Sequence, residues 1–150
     1  MCGLVGFLDA RAGGSASALR DTATAMAQTL AYRGPDAEGC WTDEAADSAL
    51  ARRRLSIIDL SPTGVQPMVS GSGRWVIAYN GEVYNFGEIR DALIAEGRGL
   101  FRVTSDTEIV LEACEARGVA HRFRTDIALQ RNTLAYLSAS LFRSTHQGDR

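Results

Sequence analysis

The chain has 150 residues, a length that fits one domain and would leave two cramped. Hydrophobic residues make up 45% and charged residues 23%, the balance of a folded chain and not of a disordered one. A net charge of -2 lacks the basic excess that nucleic acid or an anionic membrane surface requires, so neither partner is expected.

No apolar run approaches the ~20 residues of a membrane span. The stretch Gly3 to Leu8 is apolar, but no basic segment precedes it and Asp9 and Arg11 cut it short. That argues against a secretory leader, and the expected location is the cytoplasm. Cys2, Cys40 and Cys114 are an odd set with no CxxC pair, which fits neither a disulfide framework nor a zinc site. No cofactor or metal is expected in this chain. All 16 basic residues other than histidine are Arg, which reads as the composition of a GC-rich gene.

In chain order, Cys2 to Leu8 predicts one strand, ended by Asp9 and the turn-like Gly13-Gly14. Ser17 is the expected cap of a first helix, with Leu19, Ala23, Met26 and Leu30 recurring on one face. Arg33-Gly34-Pro35-Asp36 is a loop by its chemistry, because Pro fixes φ. Leu50 through Ile58 predicts a strand that carries Arg52, Arg53 and Arg54, and Ser61-Pro62-Thr63-Gly64 ends it. Gly71-Ser72-Gly73 is a turn before a strand over Arg74 to Tyr79. A second helix starts near Phe86, with Asn85 as its cap and Gly97 just past its end. A third follows Ser105, with Glu108 at capping-box spacing, and stops at Gly118. Strands and helices mix without a repeating βαβ unit, so the expected class is α+β and not a doubly wound parallel sheet.

From Val119 to Arg150 the character changes: five Arg and two Asp give a local charge of +3. Ile127, Leu134, Leu137 and Leu141 can share a helical face, but the segment carries no chemical motif. The expected division is residues 1–118 and a divergent tail, 119–150.

Cys2 is the first candidate for chemistry. Methionine is removed readily before a small residue, and its removal would leave a thiol and a free α-amine on one residue. The thiolate is the nucleophile. An α-amine titrating at about 7.7–8.0 is a usable base near neutrality. N-terminal threonine enzymes combine nucleophile and base in the same way. Alone, Cys2 reads first as a small buried residue. Arg54 alone reads as a surface arginine on an edge strand, as do Arg52 and Arg53. Asp106 and Glu108 alone read as charges favoured at a helix N-terminus, and Asn80-Gly81 as a plain turn.

Together the motifs say more. Met1-Cys2-Gly3-Leu4-Val5-Gly6-Phe7 resembles the start of class II, N-terminal-nucleophile glutamine amidotransferases. Arg33-Gly34-Pro35-Asp36, Arg54-Leu55-Ser56-Ile57-Ile58-Asp59, Asn80-Gly81-Glu82-Val83-Tyr84-Asn85 and Ser105-Asp106-Thr107-Glu108 resemble, in order, motifs of the asparagine synthetase branch of that family. The resemblance implies the Ntn-hydrolase αββα sandwich, two antiparallel sheets between helical layers. It implies L-glutamine as substrate, attacked by Cys2 and hydrolysed to glutamate and ammonia. Asn80 and Gly81 would then supply oxyanion donors, and Arg54 would hold the α-carboxylate. Asp106 with Glu82 would hold the α-ammonium, and backbone groups of Leu55 and Ile57 would add hydrogen bonds. Arg33-Gly34-Pro35-Asp36 would be a structural loop, with Cys40 and Cys114 structural too.

Tyr32 stands where the family often has His, and Val83 where it often has Ile; neither change removes a catalytic group. After Gly118 the family's further strands, and its synthetase domain with an ATP pyrophosphate loop and Mg, are not matched. The tail therefore reads as a frame shift, and the sandwich is expected to be incomplete. Other readings are a class II amidotransferase acting on a different acceptor, such as the phosphoribosyl-amine or glucosamine-phosphate enzymes, and an inactive truncated remnant. Arg33-Gly34-Pro35-Asp36 and Arg54-Leu55-Ser56-Ile57 speak against the phosphoribosyl-amine and glucosamine-phosphate enzymes.

Overall fold

The computed structural model describes residues 2–9, 13–55, 65–98, 101 and 105–118. The predicted Ile57 contact and the tail 119–150 lie outside those residues. Three strands, β1 (Gly3–Leu8), β2 (Ala37–Asp43) and β3 (Ser48–Arg54), form an antiparallel sheet in the order β1-β3-β2. A two-stranded antiparallel sheet pairs β4 (Met68–Val69) with β5 (Val76–Ile77). The helices are α1 (Ala16–Gln28), α2 (Phe86–Ala95) and α3 (Asp106–Arg117), with a short 3-10 turn at Ala31–Arg33.

The side-chain alternation of β3 explains the layers. Successive residues of a strand point to opposite faces. Ala49 and Ala51 face α1, where they pack on Leu19, Ala23 and Ala27, with Val5, Phe7 and Cys40 beside them. Small residues on both sides let the helix lie close to the sheet. Leu50 faces the other way and packs with Val76 and Ala78, against Leu4, Trp41 and Val69. Ile77, next to Val76, turns to the far side of the second sheet and joins Ile89, Leu93, Ile109 and Val110 of α2 and α3. The order of layers is α1, first sheet, second sheet, then α2 with α3. The class is α+β, as expected, with two antiparallel sheets between helices.

Several boundaries differ from expectation. Ser15, not Ser17, caps α1: its side chain accepts from the Ala18 N–H. Ser17 lies inside the first turn, where it pairs with the Ser15 hydroxyl at 2.9 Å. Ala27, not Met26, completes the buried face of α1, and Met26 is exposed. The sequence reading places no element over 37–43, where β2 forms. The second sheet is shorter than the predicted Arg74 to Tyr79 strand, its ladder spanning Val76–Ile77.

The two later helices match closely. Asn85 occupies the N-cap position of α2 without a side-chain bond to the helix's N–H groups, and Gly97 follows the end with φ +78, a value that favours glycine. Ser105 caps α3 by accepting from Glu108 N–H, and Gly118 ends it. α3 is buried from Thr107 to Leu111 and again at Ala113 and Cys114, because it lies between α2 and the second sheet.

Candidate functional site

The site collects at one end of the two sheets. Register pairs Gly3 with Arg53 and Leu4 with Arg52, so Cys2 lies beside the last residues of β3. Its sulfur faces three groups from that strand end. Arg52 Nη2 donates to Sγ at 3.3 Å, and Leu55 N–H donates at 3.5 Å. The Leu55 carbonyl oxygen lies 3.9 Å away and accepts from the thiol in its protonated form. Burial pushes the Cys2 thiol up. The Leu55 amide hydrogen bond, the charge and hydrogen bond of Arg52, and the charge of the chain N-terminus outweigh it, and the balance lies below the ordinary thiol value of 9.0.

Asn80 arrives from the second sheet. It follows β5 by three residues, and its side-chain Nδ2 donates to the Cys2 backbone carbonyl at 3.2 Å. Gly81 follows in a bend. A Cβ there would lie 2.6 Å from the Tyr79 hydroxyl, so the residue must be glycine if the Tyr79 ring is to tuck beneath it.

Asp106 opens α3 and reaches back to the same loop. Its Oδ2 accepts from the Val83 N–H at 3.2 Å, and Thr107 Oγ1 lies 3.4 Å from its Oδ1. Thr107 is also an acceptor for Gln66 Nε2 at 3.0 Å, and Gln66 Oε1 accepts from Tyr79 N–H at 2.6 Å. A buried polar chain thus runs from α3 through Gln66 to the residue before Asn80. Glu82, between Gly81 and Val83, is exposed. Arg54 shares its face of β3 with Arg52, and both line a small cleft with Gly39, Val65 and Gln66. Cys2, Asn80 and Leu55 are in contact, Glu82 belongs to the loop that carries Asn80, and Asp106 is bonded to that loop through the Val83 N–H.

Two arginines behave differently from the sequence reading. β3 is the central strand, not an edge, so Arg52 and Arg53 are not loose surface charges. Arg53 turns toward the Arg33-Gly34-Pro35-Asp36 loop: Nε donates to the Gly34 carbonyl at 3.0 Å and Nη1 pairs with Glu38 at 2.6 Å. A Cβ on Gly34 would run into the Arg53 carbonyl, so this loop packs directly on β3. Arg52 turns to the opposite face and meets Cys2. Nothing in the order of three adjacent arginines distinguishes which of them does so, because strand parity depends on a register that the sequence leaves open.

Among the described residues no group of three or more His, Cys, Asp or Glu is placed to hold a metal ion. No helix among them is long and apolar enough to cross a membrane.

The family model for the glutamine amidotransferase domain matches residues 1–126. The chain belongs to the glutamine amidotransferase domain family. A probable glutamine-hydrolysing asparagine synthetase of Dictyostelium discoideum is 35% identical over 118 residues, covering 79% of this chain and 20% of the relative. Glutamine-hydrolysing asparagine synthetase 2 of Bacillus subtilis is 36% identical, covering 79% of this chain and 15% of the relative. The Escherichia coli glutamine-hydrolysing asparagine synthetase B is also 36% identical, with 79% and 20% covered. The chain therefore spans a fifth or less of the curated relatives it matches. What it shares with them is this amidotransferase domain, a family that implies glutamine as substrate.

Proposed function

We propose that this amidotransferase domain hydrolyses L-glutamine to glutamate and ammonia, with Cys2 as nucleophile after Met1 is removed. The observation that carries the reading is the Cys2 sulfur, with two donors from β3 and Leu55 on it and Asn80 against its own carbonyl.

The reaction balances through one proton. The α-amine of Cys2 takes the thiol proton, and Sγ attacks the side-chain amide carbon of glutamine. The carbonyl oxygen becomes an oxyanion, held by Asn80 Nδ2 and the Gly81 N–H. As the C–N bond breaks, the protonated amine gives its proton to the leaving nitrogen, and ammonia departs. Water then adds to the glutamyl thioester and releases glutamate, and the thiol regains its proton.

Glutamine is a zwitterion, so the pocket needs a cation and an anion at its far end. Arg54 grips the α-carboxylate with its planar two-donor fork. Asp106, with Glu82 beside it, holds the α-ammonium, and backbone groups of Leu55 and Ile57 add hydrogen bonds. The relatives are named glutamine-hydrolysing asparagine synthetases, and we take the full-length family to pass this ammonia to ATP-activated aspartate, with the glutaminase step running in the cytoplasm. ATP and Mg take no part in the glutaminase step.

The test is ammonia release from glutamine by the purified chain, with mass spectrometry of its N-terminus. Release that needs Cys2 as residue one, and that Cys2→Ala abolishes, supports the reading. Full activity with Met1 retained contradicts the mechanism, and no release from the wild-type chain favours an inactive remnant.

A further inference from the structure

We propose that Arg52 is a catalytic residue of this site: its guanidinium pairs with the Cys2 sulfur and keeps the nucleophile as a thiolate ready for attack. The inference rests on the glutaminase reading for its reaction, but the geometry of β3 carries it.

Three consecutive arginines end β3, and they divide by strand parity. Arg53 faces the loop side and finds a carboxylate, Glu38. Arg52 faces the opposite side, toward the second sheet, and no carboxylate among the described residues pairs with it. Its Nε is buried with no acceptor among them. Its Nη2 has one, the sulfur of Cys2 at 3.3 Å.

A cation partly withdrawn from water, as Arg52 is, gains when an anion meets it. Arginine does not lose its proton. The sulfur can lose its own and become that anion. Leu55 N–H at 3.5 Å supplies a second donor to the same atom. The thiolate is therefore held by one full charge and one amide dipole before substrate arrives.

Among the described residues the charged group that faces Sγ is Arg52 from β3; Asn80, from the second sheet, is neutral. Burial raises the thiol, and the Leu55 amide and Arg52 lower it. The roles then separate. In the glutaminase reading the α-amine of Cys2, freed when Met1 is removed, exchanges the proton, and Arg52 exchanges none but fixes where the sulfur's electron pair sits.

The experiment is alkylation of Cys2 by iodoacetamide in the full chain across pH, read at Cys2 by peptide mass spectrometry so that Cys40 and Cys114 do not contribute. Arg52→Gln should move the alkylation midpoint upward by about one pH unit, slowing the reaction roughly tenfold on the acid side of the midpoint. Arg52→Lys, which keeps the charge, should restore most of that shift. A midpoint unchanged in both variants overturns the proposal. Should Arg52→Gln not fold, the wild-type chain still decides: the Cys2 midpoint must lie lower in the folded protein than in urea, and an equal or higher midpoint overturns it. Alkylation needs no glutamine, so a chain that releases no ammonia still reports on Arg52.

Discussion

The side-chain amide of Asn80 donates to the main-chain carbonyl of Cys2 at 3.2 Å, across 78 residues of sequence. This bond joins the end of the second sheet to the first strand of the first. It places the Asn80 amide nitrogen beside Cys2, so in the proposed reaction the donor is already at the nucleophile before an oxyanion forms. Asn80→Ala should lower kcat for glutamine hydrolysis by about 10²–10³, the usual effect of losing one oxyanion donor, with KM changed far less. Steady-state ammonia release checks it. A loss confined to KM would move Asn80 out of the transition state and into ground-state binding.

Asp106 joins α3 to the Asn80 loop through the Val83 N–H. Asp106→Asn keeps an oxygen for that N–H and removes the negative charge. The fold should hold, with little change in melting temperature. KM for glutamine should rise roughly ten- to hundredfold, the worth of one charged hydrogen bond. Equal KM values in the two proteins would place the substrate ammonium elsewhere.

Legibility in the sequence followed locality. α2 and α3 were readable because their caps lie within the segments: Asn85 before Phe86, Ser105 before Asp106, and Gly97 and Gly118 after. α1 was misread by two residues because Ser15 and Ser17 are equally good caps by type. Its face was misread where Met26 outranks Ala27 in hydrophobicity. The structure buries Ala27 because the alanines of β3 leave space only for a small residue. β2 was missed because its residues, Ala37 to Asp43, form no apolar run; the strand exists through pairing with β3. The candidate site was readable at Cys2, Asn80 and Asp106, each inside a short motif. The contact of Arg52 with Cys2 was not, since it depends on which face of a central strand the arginine takes.

Gly34 lies against the backbone of Arg53, with no space for a side chain. Gly34→Ala must push the Arg33-Gly34-Pro35-Asp36 loop away from β3. It should also strain the bonds from Arg53 to the Gly34 carbonyl and to Glu38. The expected loss is about 1–3 kcal/mol, the usual cost of overpacking. Urea unfolding measures it. An unchanged midpoint would mean that the loop floats free of the strand.

Leu93 is 1% exposed and lies on α2 among Ile89, Ile109 and Val110. Leu93→Ala should cost about 2–5 kcal/mol, because it removes buried methyl groups and leaves a cavity between the helical layer and the second sheet. Thermal unfolding reads the loss, and a cost well below that range would show that the helical layer collapses onto the gap.

Tyr79 is 2% exposed, and among the described residues its hydroxyl has no hydrogen-bond partner. Burial raises its pKa above the ordinary 10.0, and Asp106, Glu82 and Tyr84 raise it further. Two consequences follow for Tyr79→Phe. Near neutral pH the variant should be as stable as wild type or more so, since a buried unsatisfied hydroxyl costs about 1–3 kcal/mol. In alkali the gap should widen in the variant's favour. Folded Tyr79 keeps its proton while the unfolded chain loses it above pH 10.0, so the wild type's stability falls as pH rises through that value. Phenylalanine has no proton to lose and escapes that decline. Urea midpoints measured on both sides of pH 10.0 test it. Parallel curves for the two proteins would mean that the hydroxyl is solvated in the folded chain.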